Sequence, residues 1–545
     1  MKKTIAIAAL LAAALTACSS GGKSGATGQS AQPGSTQAAA SDQKPMVIDI
    51  GFGGTTINRN FSPFNPQASL GMNGYVYENL WTFNILKGGE FVPWLATKYD
   101  WSEDGKKITI HLDPRANWSD GNKLTSKDVA FTLKYGREKK AVQNGALLEW
   151  TSVETPDDQT VILGFDAPSF TLTDTIGRLR PVQEKVYKDQ DPNTFTNPDP
   201  VGTGPYKLEY SPQQLTFTAR PDYWKQEVPV KTLKMPIIGG TGALPRMLTG
   251  EITWSGGAFP NVMKSWVDKD PERNKAWYPT YGSLLMWMNT EKKPFDNVHV
   301  RKAISLALNR QEIADAGNPG MFHPINATGL DQETMASWIA PEYAGAVQKD
   351  ARAEEAKAEL AKANLKPEDI SFDILENGEW GDAVQRDKII AQQLNAIGMK
   401  VNVKPIPGTQ LADLRKKGDF DVITGGSVYQ GQTPYAFYDS ILSSKKIGIE
   451  YNWGRIKNAE VDGLLKKMSS TADTEEVKKH VHAIERYMVE QVPMIPLANI
   501  GASAEYSTKD WVGWPDKDNP YTISAPWSGP PDNIQTLLSL KPATQ

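Results

Sequence analysis

The 545-residue chain contains five histidines and one cysteine, the side chains that most often bind metals or act as nucleophiles. His480 and His482 are two residues apart in a predicted helix and point in different directions, whereas a zinc peptidase spaces its pair by four. The sequence has no nucleophile elbow, no phosphate loop with a lysine and no dinucleotide-binding glycine motif. We therefore expect a protein without catalytic residues, metal or cofactor.

Carboxylates keep one enzyme class open. Glu376 and Glu379 precede Trp380, and a glycosidase needs two carboxyl groups on opposite sides of a cleft. The sequence does not give the separation of the two groups. A glycoside hydrolase is therefore the alternative class, and it would shorten an oligosaccharide on prolonged incubation.

Charge and tryptophan content narrow the class of ligand. The chain has 59 basic and 63 acidic side chains and a net charge of −4, so it lacks the basic field that binds nucleic acid. It also contains 16 tryptophans, which must be buried or must face a ligand. These counts favour a ligand recognised by shape and hydroxyl groups.

The N-terminus has the layout of an export signal. Lys2 and Lys3 precede an apolar run over residues 5–15, too short to span a bilayer. The sequence LTAC (15–18) resembles the lipobox of bacterial lipoproteins, with an ordinary secretory signal as the alternative. We expect residues 1–17 to be a signal peptide and Cys18 to be lipidated. Residues 18–44 are rich in small polar residues and predict a flexible linker.

The body of the chain mixes strand and helix patterns. Strands are predicted at residues 46–50, 106–112, 160–165, 215–218, 371–375 and 400–406. Thr125 to Val129 is a typical capped helix start, and Asp473 is predicted to cap another helix. Further helices are predicted at residues 300–308, 351–363 and 384–397. This pattern indicates an α/β protein with mixed sheets rather than a regular doubly wound fold.

Several short blocks together resemble the family 5 extracytoplasmic solute-binding proteins of ABC importers, the oligopeptide- and dipeptide-binding type. The blocks are FVPWLA (91–96), WSEDGK (101–106), ITIHL (108–112), NWSDG (117–121), LTSKDV (124–129), VGTGPYKL (201–208), RPDYW (220–224), VRKAI (300–304), NR (309–310), LNAIGMKV (394–401) and VPMIPL (492–497). They stand in the family's order along most of the chain.

The resemblance implies a two-lobed α/β fold with a mixed sheet in each lobe. Lobe I would comprise residues 45–75, 200–285 and 497–545, with an inserted subdomain at 76–199, and lobe II would comprise 286–496. The lobes would close on a solute, and a permease would recognise the closed form. Such a protein is expected to be a monomer, anchored through Cys18 outside the cytoplasm. The outer face of a single-membrane bacterium is favoured, and a periplasmic location is the alternative.

One departure from the family's pattern bears on the ligand. Peptide-binding members carry an aspartate after the Phe-Asp-Val strand, and this residue pairs with the α-ammonium group of the peptide. Here no aspartate stands between Val422 and Pro434. A buried ammonium group without a carboxylate partner is costly, so this segment weighs against a peptide. The C-terminal aromatic residues also resemble the branch that binds β-linked manno- or cello-oligosaccharides. An oligosaccharide is therefore the predicted ligand and an oligopeptide the runner-up, with nickel-type and other solutes further alternatives.

The predicted ligand contacts are aromatic and neutral polar side chains. Trp254, Trp380 and Trp453 are predicted to stack on sugar rings, because sugars present apolar faces to indole groups. Neutral hydrogen bonds are predicted from Ser427, Tyr429, Gln430 and Gln432. Other tryptophans are predicted to lie in the core, namely Trp94, Trp101, Trp118, Trp224, Trp287 and Trp514.

Overall fold

The computed structural model describes residues 43–51, 56–65, 67–69, 72–145, 148–238, 242–317 and 320–544. Cys18, the predicted signal peptide and most of the predicted linker lie outside the described residues. No helix in these ranges is long and apolar enough to cross a membrane.

The strands and helices alternate irregularly along the chain. The strands are β1 (Met46–Asp49), β2 (Trp81–Asn84), β3 (Glu90–Pro93), β4 (Ala96–Trp101), β5 (Lys107–Leu112), β6 (Ser152–Asp157), β7 (Thr160–Gly164), β8 (Tyr206–Ser211), β9 (Gln214–Ala219), β10 (Thr232–Pro236), β11 (Trp254–Ser255), β12 (Asn274–Ala276), β13 (Thr280–Met288), β14 (Phe322–His323), β15 (Ser371–Asn377), β16 (Lys400–Ile406), β17 (Val422–Tyr429), β18 (Ile495–Gly501), β19 (Glu505–Ser507), β20 (Trp511–Val512) and β21 (Lys541–Pro542). The α-helices are α1 (Ser126–Glu138), α2 (Thr173–Gly177), α3 (Glu184–Tyr187), α4 (Ala243–Leu248), α5 (Val262–Ser265), α6 (Val298–Leu306), α7 (Arg310–Gly317), α8 (Ala353–Lys362), α9 (Gly381–Ala396), α10 (Gly408–Lys417), α11 (Pro434–Leu442), α12 (Ala459–Ser469), α13 (Thr474–Gln491) and α14 (Asp532–Ser539).

Lobe I is built on a seven-stranded mixed sheet. Its strand order is β12-β19-β11-β1-β10-β9-β8, and β1 lies parallel to both of its neighbours. A four-stranded antiparallel sheet, β4-β5-β7-β6, packs with α1 and shares one apolar core with the large sheet. As predicted, α1 begins after Thr125, whose backbone N–H donates to the Asp128 carboxylate at 2.8 Å.

Lobe II is built on a six-stranded mixed sheet with the order β14-β18-β13-β17-β15-β16. The strand β15 lies parallel to β16 and β17, and the helices α9 and α10 make the connections between these strands. Separate apolar clusters cover the two faces of the sheet. The predicted two-lobed α/β fold with mixed sheets is confirmed.

Two neighbouring strands carry the chain between the lobes. β13 follows β12 of the seven-stranded sheet, and β18 leads back into β19. The predicted boundary after residue 285 falls inside β13, and the one after residue 496 falls inside β18. Both strands therefore continue past the predicted boundaries, because each is paired along its whole length in the lobe II sheet.

Candidate functional site

A cavity of about 650 Å³ lies at one edge of the lobe II sheet. Its walls come from the end of β15, the middle of β17, α9 and α10, and the loop around Tyr451, with Leu284 and Ile500 contributed by the two crossing strands. All of its lining residues lie between positions 284 and 500. The volume falls within the usual range for a small-molecule site.

The position of the cavity follows from the strand directions. β15 and β17 are parallel, so their carboxyl ends meet at the same edge, where the chain turns into α9 on one side and leaves β17 on the other. β13 enters and β18 leaves the sheet at this edge, since Gly282 pairs with Tyr429 and Ile500. The carboxyl edge of parallel strands is where open α/β sheets bind ligands. This edge also faces the strands that lead to lobe I.

Aromatic side chains form one wall and the rim of the cavity. Trp453 packs against Tyr451 and Trp287, with ring centroids 5.1 and 4.5 Å apart. Trp380 precedes α9 and is 53% exposed, and Ile449 across the rim is 77% exposed. These two are among the few large apolar side chains left to solvent in the described residues. Their exposure indicates a surface that a ligand covers.

Two glycines shape the floor of the cavity. Gly425 and Gly426 have φ angles of +123° and +81°, and the pairing of β17 with β13 shifts register here. A β-bulge of this kind needs residues that tolerate positive φ. A Cβ added to Gly426 would lie 3.1 Å from Trp287, so a side chain here would push against the aromatic wall.

A buried pair of carboxyl groups lies beneath the floor. The Thr424 hydroxyl is 2.9 Å from Glu376 Oε2 and 2.7 Å from Asp387 Oδ1, and it has only one proton to donate. Burial raises the pKa of both carboxyl groups, and their proximity raises that of Asp387 further. The geometry therefore suits a pair that holds one proton and in which Thr424 accepts one hydrogen bond and donates the other.

Cationic side chains complete the lining. Arg386 donates to Asp382 at 2.8 Å and lies over the ring of Phe322. The guanidinium carbon of Arg415 lies 3.9 Å from the centroid of the Trp453 ring. In the described part of the chain, no cluster of three or more His, Cys, Asp or Glu side chains is arranged to hold a metal ion.

A family model confirms what kind of protein carries this cavity. Residues 90–448 match the bacterial extracellular solute-binding proteins, family 5, middle region. The chain belongs to this family. Family 5 proteins are binding components of ABC importers and are not enzymes, so the glycosidase alternative is set aside.

Two curated relatives in the family differ in how much of the chain they match. The oligopeptide-binding protein OppA of Bacillus subtilis is 29% identical over 311 residues, which are 50% of this chain and 56% of OppA. The chain thus aligns with about half the length of that relative. Heme-binding protein A of Haemophilus influenzae is 26% identical over 537 residues, covering 91% of this chain and 93% of that protein.

A solved family 5 structure has the same fold. The periplasmic oligopeptide-binding protein of an oligopeptide ABC transporter from Thermotoga maritima has a TM-score of 0.81 at 22% identity, covering 92% of this chain and 100% of that one. A second structure of that protein, with mannohexaose bound, has a TM-score of 0.76 at the same identity, covering 92% of this chain and 99% of that one.

The structure brings together only some of the predicted contacts of this family 5 chain. Trp380 and Trp453 line the same cavity. Tyr429 lies near the crossing strands, where the Arg178 guanidinium is 4.4 Å from its ring centroid. Gln432 lines a second, smaller cavity of about 230 Å³ together with Trp101 of β4.

Two predicted contacts lie away from the cavity. Trp254 is fully buried in lobe I, where its indole N–H donates to the Ser524 carbonyl at 2.8 Å and its ring packs on Trp514. Gln430 is buried, and its amide donates to the Ser283 hydroxyl and accepts from the backbone N–H of Asp331. The polar groups of both residues are satisfied by the protein, which leaves neither free for a ligand here. Ser427 lies in β17, and its side chain is outside the described features.

Sequence reasoning missed the cationic side chains of the lining. Arg415 lies on α10, a helix with only one buried residue and hence a weak apolar pattern. The position of Glu376 at the end of a predicted strand was the available signal, because carboxyl ends of parallel strands gather ligand contacts.

Proposed function

We propose that this protein captures an oligosaccharide of the β-linked manno or cello type, whose sugar rings have flat apolar faces, and delivers it to an ABC permease. The observation that carries the proposal is the pairing of Trp380 and Trp453 at one cavity on the carboxyl edge of lobe II. Indole faces cover the C–H faces of sugar rings, and each stacked ring adds about 1 kcal/mol beyond burial. Arg386 and Lys416 also line the cavity and can donate hydrogen bonds to hydroxyl groups.

Capture requires that lobe I cover the open side of the cavity. All lining residues lie in lobe II and the crossing strands, and Trp380 is half exposed, so the described conformation leaves a ligand surface uncovered. A ligand that contacts both lobes shifts the population toward the closed form by its differential affinity. The closed form is the one that a permease recognises.

An oligopeptide is the second candidate, and one observation favours it. Glu376 lines the cavity and is a carboxylate that an α-ammonium group needs. However, its oxygens already accept hydrogen bonds from the Asn377 backbone N–H at 2.6 Å and from Thr424 at 2.9 Å. These contacts support the oligosaccharide over the peptide as the proposed ligand.

Calorimetric titration of the full protein decides between the two ligands. We expect heat of binding with β-1,4-linked manno- or cello-oligosaccharides of three to six rings and none with tri- to pentapeptides. Tight binding of a peptide with no heat from any sugar would refute the oligosaccharide proposal. The oligosaccharide recovered after incubation should be unchanged in length, as expected for a binding protein.

We also propose that Cys18 carries the lipid that anchors the protein outside the cytoplasm. The support is the charged start, the short apolar run and the LTAC sequence. Incorporation of labelled palmitate that persists in Cys18→Ser would contradict this proposal.

A further inference from the structure

Arg415 lines the cavity and forms fewer hydrogen bonds than its guanidinium group can make. It lies in the last turn of α10, with its guanidinium carbon 3.9 Å from the centroid of the Trp453 ring. Nη2 donates one long hydrogen bond, 3.3 Å, to the backbone carbonyl of Thr424. Nε is buried and has no hydrogen-bond partner in the described part of the chain. A guanidinium group has five N–H donors, so most of its hydrogen-bonding capacity is unused.

The neighbouring acidic groups are already engaged. Glu376 accepts hydrogen bonds from Asn377 and Thr424, Glu450 pairs with Lys446 at 2.5 Å, and Asp382 pairs with Arg386. Arg415 itself forms no ion pair with any described carboxylate. Lys416, which also lines the cavity, is exposed and therefore hydrated. Arg415 thus combines partial burial with the absence of a direct ion pair among the described residues, and the Glu376 carboxyl group acts on it only at longer range.

A partly buried guanidinium group without a direct ion pair is unfavourable unless a ligand supplies the anion. Burial lowers the pKa of Arg415, which reports the cost of removing its charge from water. Guanidinium groups match carboxylates in a planar, two-bond geometry, and a face stacked on an aromatic ring leaves the edge donors available. The Nη groups of Arg415, which make one long hydrogen bond to the described part of the chain, therefore suit a planar anion in the cavity.

We propose that the solute carries a carboxylate group and that Arg415 receives it through its Nη groups. This inference rests on the proposed function, and the ligand is then an acidic oligosaccharide that contains uronic acid residues. Trp380 and Trp453 cover the ring faces, and Arg415 binds the carboxylate at C6. A carboxylate at the end of a peptide has the same chemistry, and the test separates the two sources.

The test compares two sugars that differ only at C6, the β-1,4-linked trimer of mannuronate and β-1,4-mannotriose. Calorimetry on the unsubstituted protein should give at least tenfold tighter binding of the mannuronate trimer at low salt. Arg415→Gln should remove this preference and leave mannotriose binding within about threefold, since only the charged contact is lost. Arg415→Lys, which keeps the charge but not the two-bond geometry, should retain part of the preference.

The matched control is Lys417→Gln, which removes the same charge from the same helix. Lys417 is exposed and does not line the cavity, so the preference for the acidic trimer should persist. Denaturant unfolding of the variants without ligand checks that the fold is intact. If the Arg415 guanidinium group only holds the Trp453 ring in place, Arg415→Gln will weaken the binding of both sugars equally. That result would show that the inference is wrong.

The remaining outcomes separate this inference from the proposed function. Equal binding of the two trimers by the unsubstituted protein overturns the inference while the oligosaccharide proposal stands. Binding of a free tripeptide that is lost on amidation of its C-terminus, and lost in Arg415→Gln, supports carboxylate recognition but refutes the sugar ligand. Absence of heat with all of these probes overturns both.

Discussion

Replacing Trp380 with alanine is expected to weaken binding of a β-1,4-linked oligosaccharide about 30-fold and to leave the free energy of unfolding within about 0.5 kcal/mol. Trp380 is 53% exposed, so its outer face packs on nothing in the described conformation. A sugar ring that covers this face removes on the order of 80 Å² of apolar surface from water. That burial contributes about 2 kcal/mol at the usual coefficient, which corresponds to the stated factor.

Calorimetry on Trp380→Ala and Trp380→Phe measures this effect, and the phenylalanine variant should keep part of the affinity because it keeps an aromatic face. The matched control is Met263→Ala. Met263 is 58% exposed and belongs to α5 of lobe I, away from the cavity. The Met263→Ala variant should bind the sugar with the same affinity as the unsubstituted protein. Unchanged affinity in Trp380→Ala would show that the ligand does not cover the rim of this cavity.

The elements around the cavity could be predicted from local patterns. The strand at 400–406 has the predicted bounds, and the predicted helix at 384–397 is α9, which begins three residues earlier. Asp473 caps α13 as predicted, since its side chain accepts from the backbone N–H groups of Glu475 and Glu476. These features depend on neighbouring residues only, so the local sequence contains the necessary information.

The role of each tryptophan could not be predicted in the same way. Trp254 and Trp380 both follow short polar segments, yet one is fully buried and the other half exposed. Trp254 is buried because residues 270 positions away supply the acceptor of its N–H, a pairing that no local pattern contains. Gln430 is likewise engaged by Asp331 and Ser283 from distant segments. Distinguishing the side chains that lie in the core from those that face the cleft therefore requires the tertiary fold.

The same limit applies to the charged groups of the cavity. Arg415 and Glu376 meet there because α10 and the end of β15 converge at one edge of the sheet. The sequence separates these residues by the whole of α9 and β16. Reasoning from single positions favoured neutral contacts in the segment 427–432, whereas the cavity is lined by ionisable side chains and aromatic rings. Its chemistry therefore suits a ligand with more than hydroxyl groups.

The second large effect is expected on stability, from two glycine-to-alanine substitutions with opposite signs. Gly426→Ala should lower the free energy of unfolding by about 2 kcal/mol, because φ is +81° and the new Cβ would lie 3.1 Å from Trp287 and 3.2 Å from Val428. Gly463→Ala should raise the free energy of unfolding by about 0.5–1 kcal/mol. Gly463 lies inside α12, and an added Cβ there meets nothing within 4 Å.

The two substitutions also separate stability from ligand binding. Trp287 packs against Trp453, so a methyl group at Gly426 that displaces Trp287 should displace the aromatic wall and weaken sugar binding as well. Gly463 does not line the cavity, and its alanine variant should bind with unchanged affinity. Urea unfolding and calorimetry on both variants provide the measurements. Equal stability of Gly426→Ala and the unsubstituted protein would mean that β17 can relax at the bulge, and the glycine pair would then not be required to hold the floor of the cavity open.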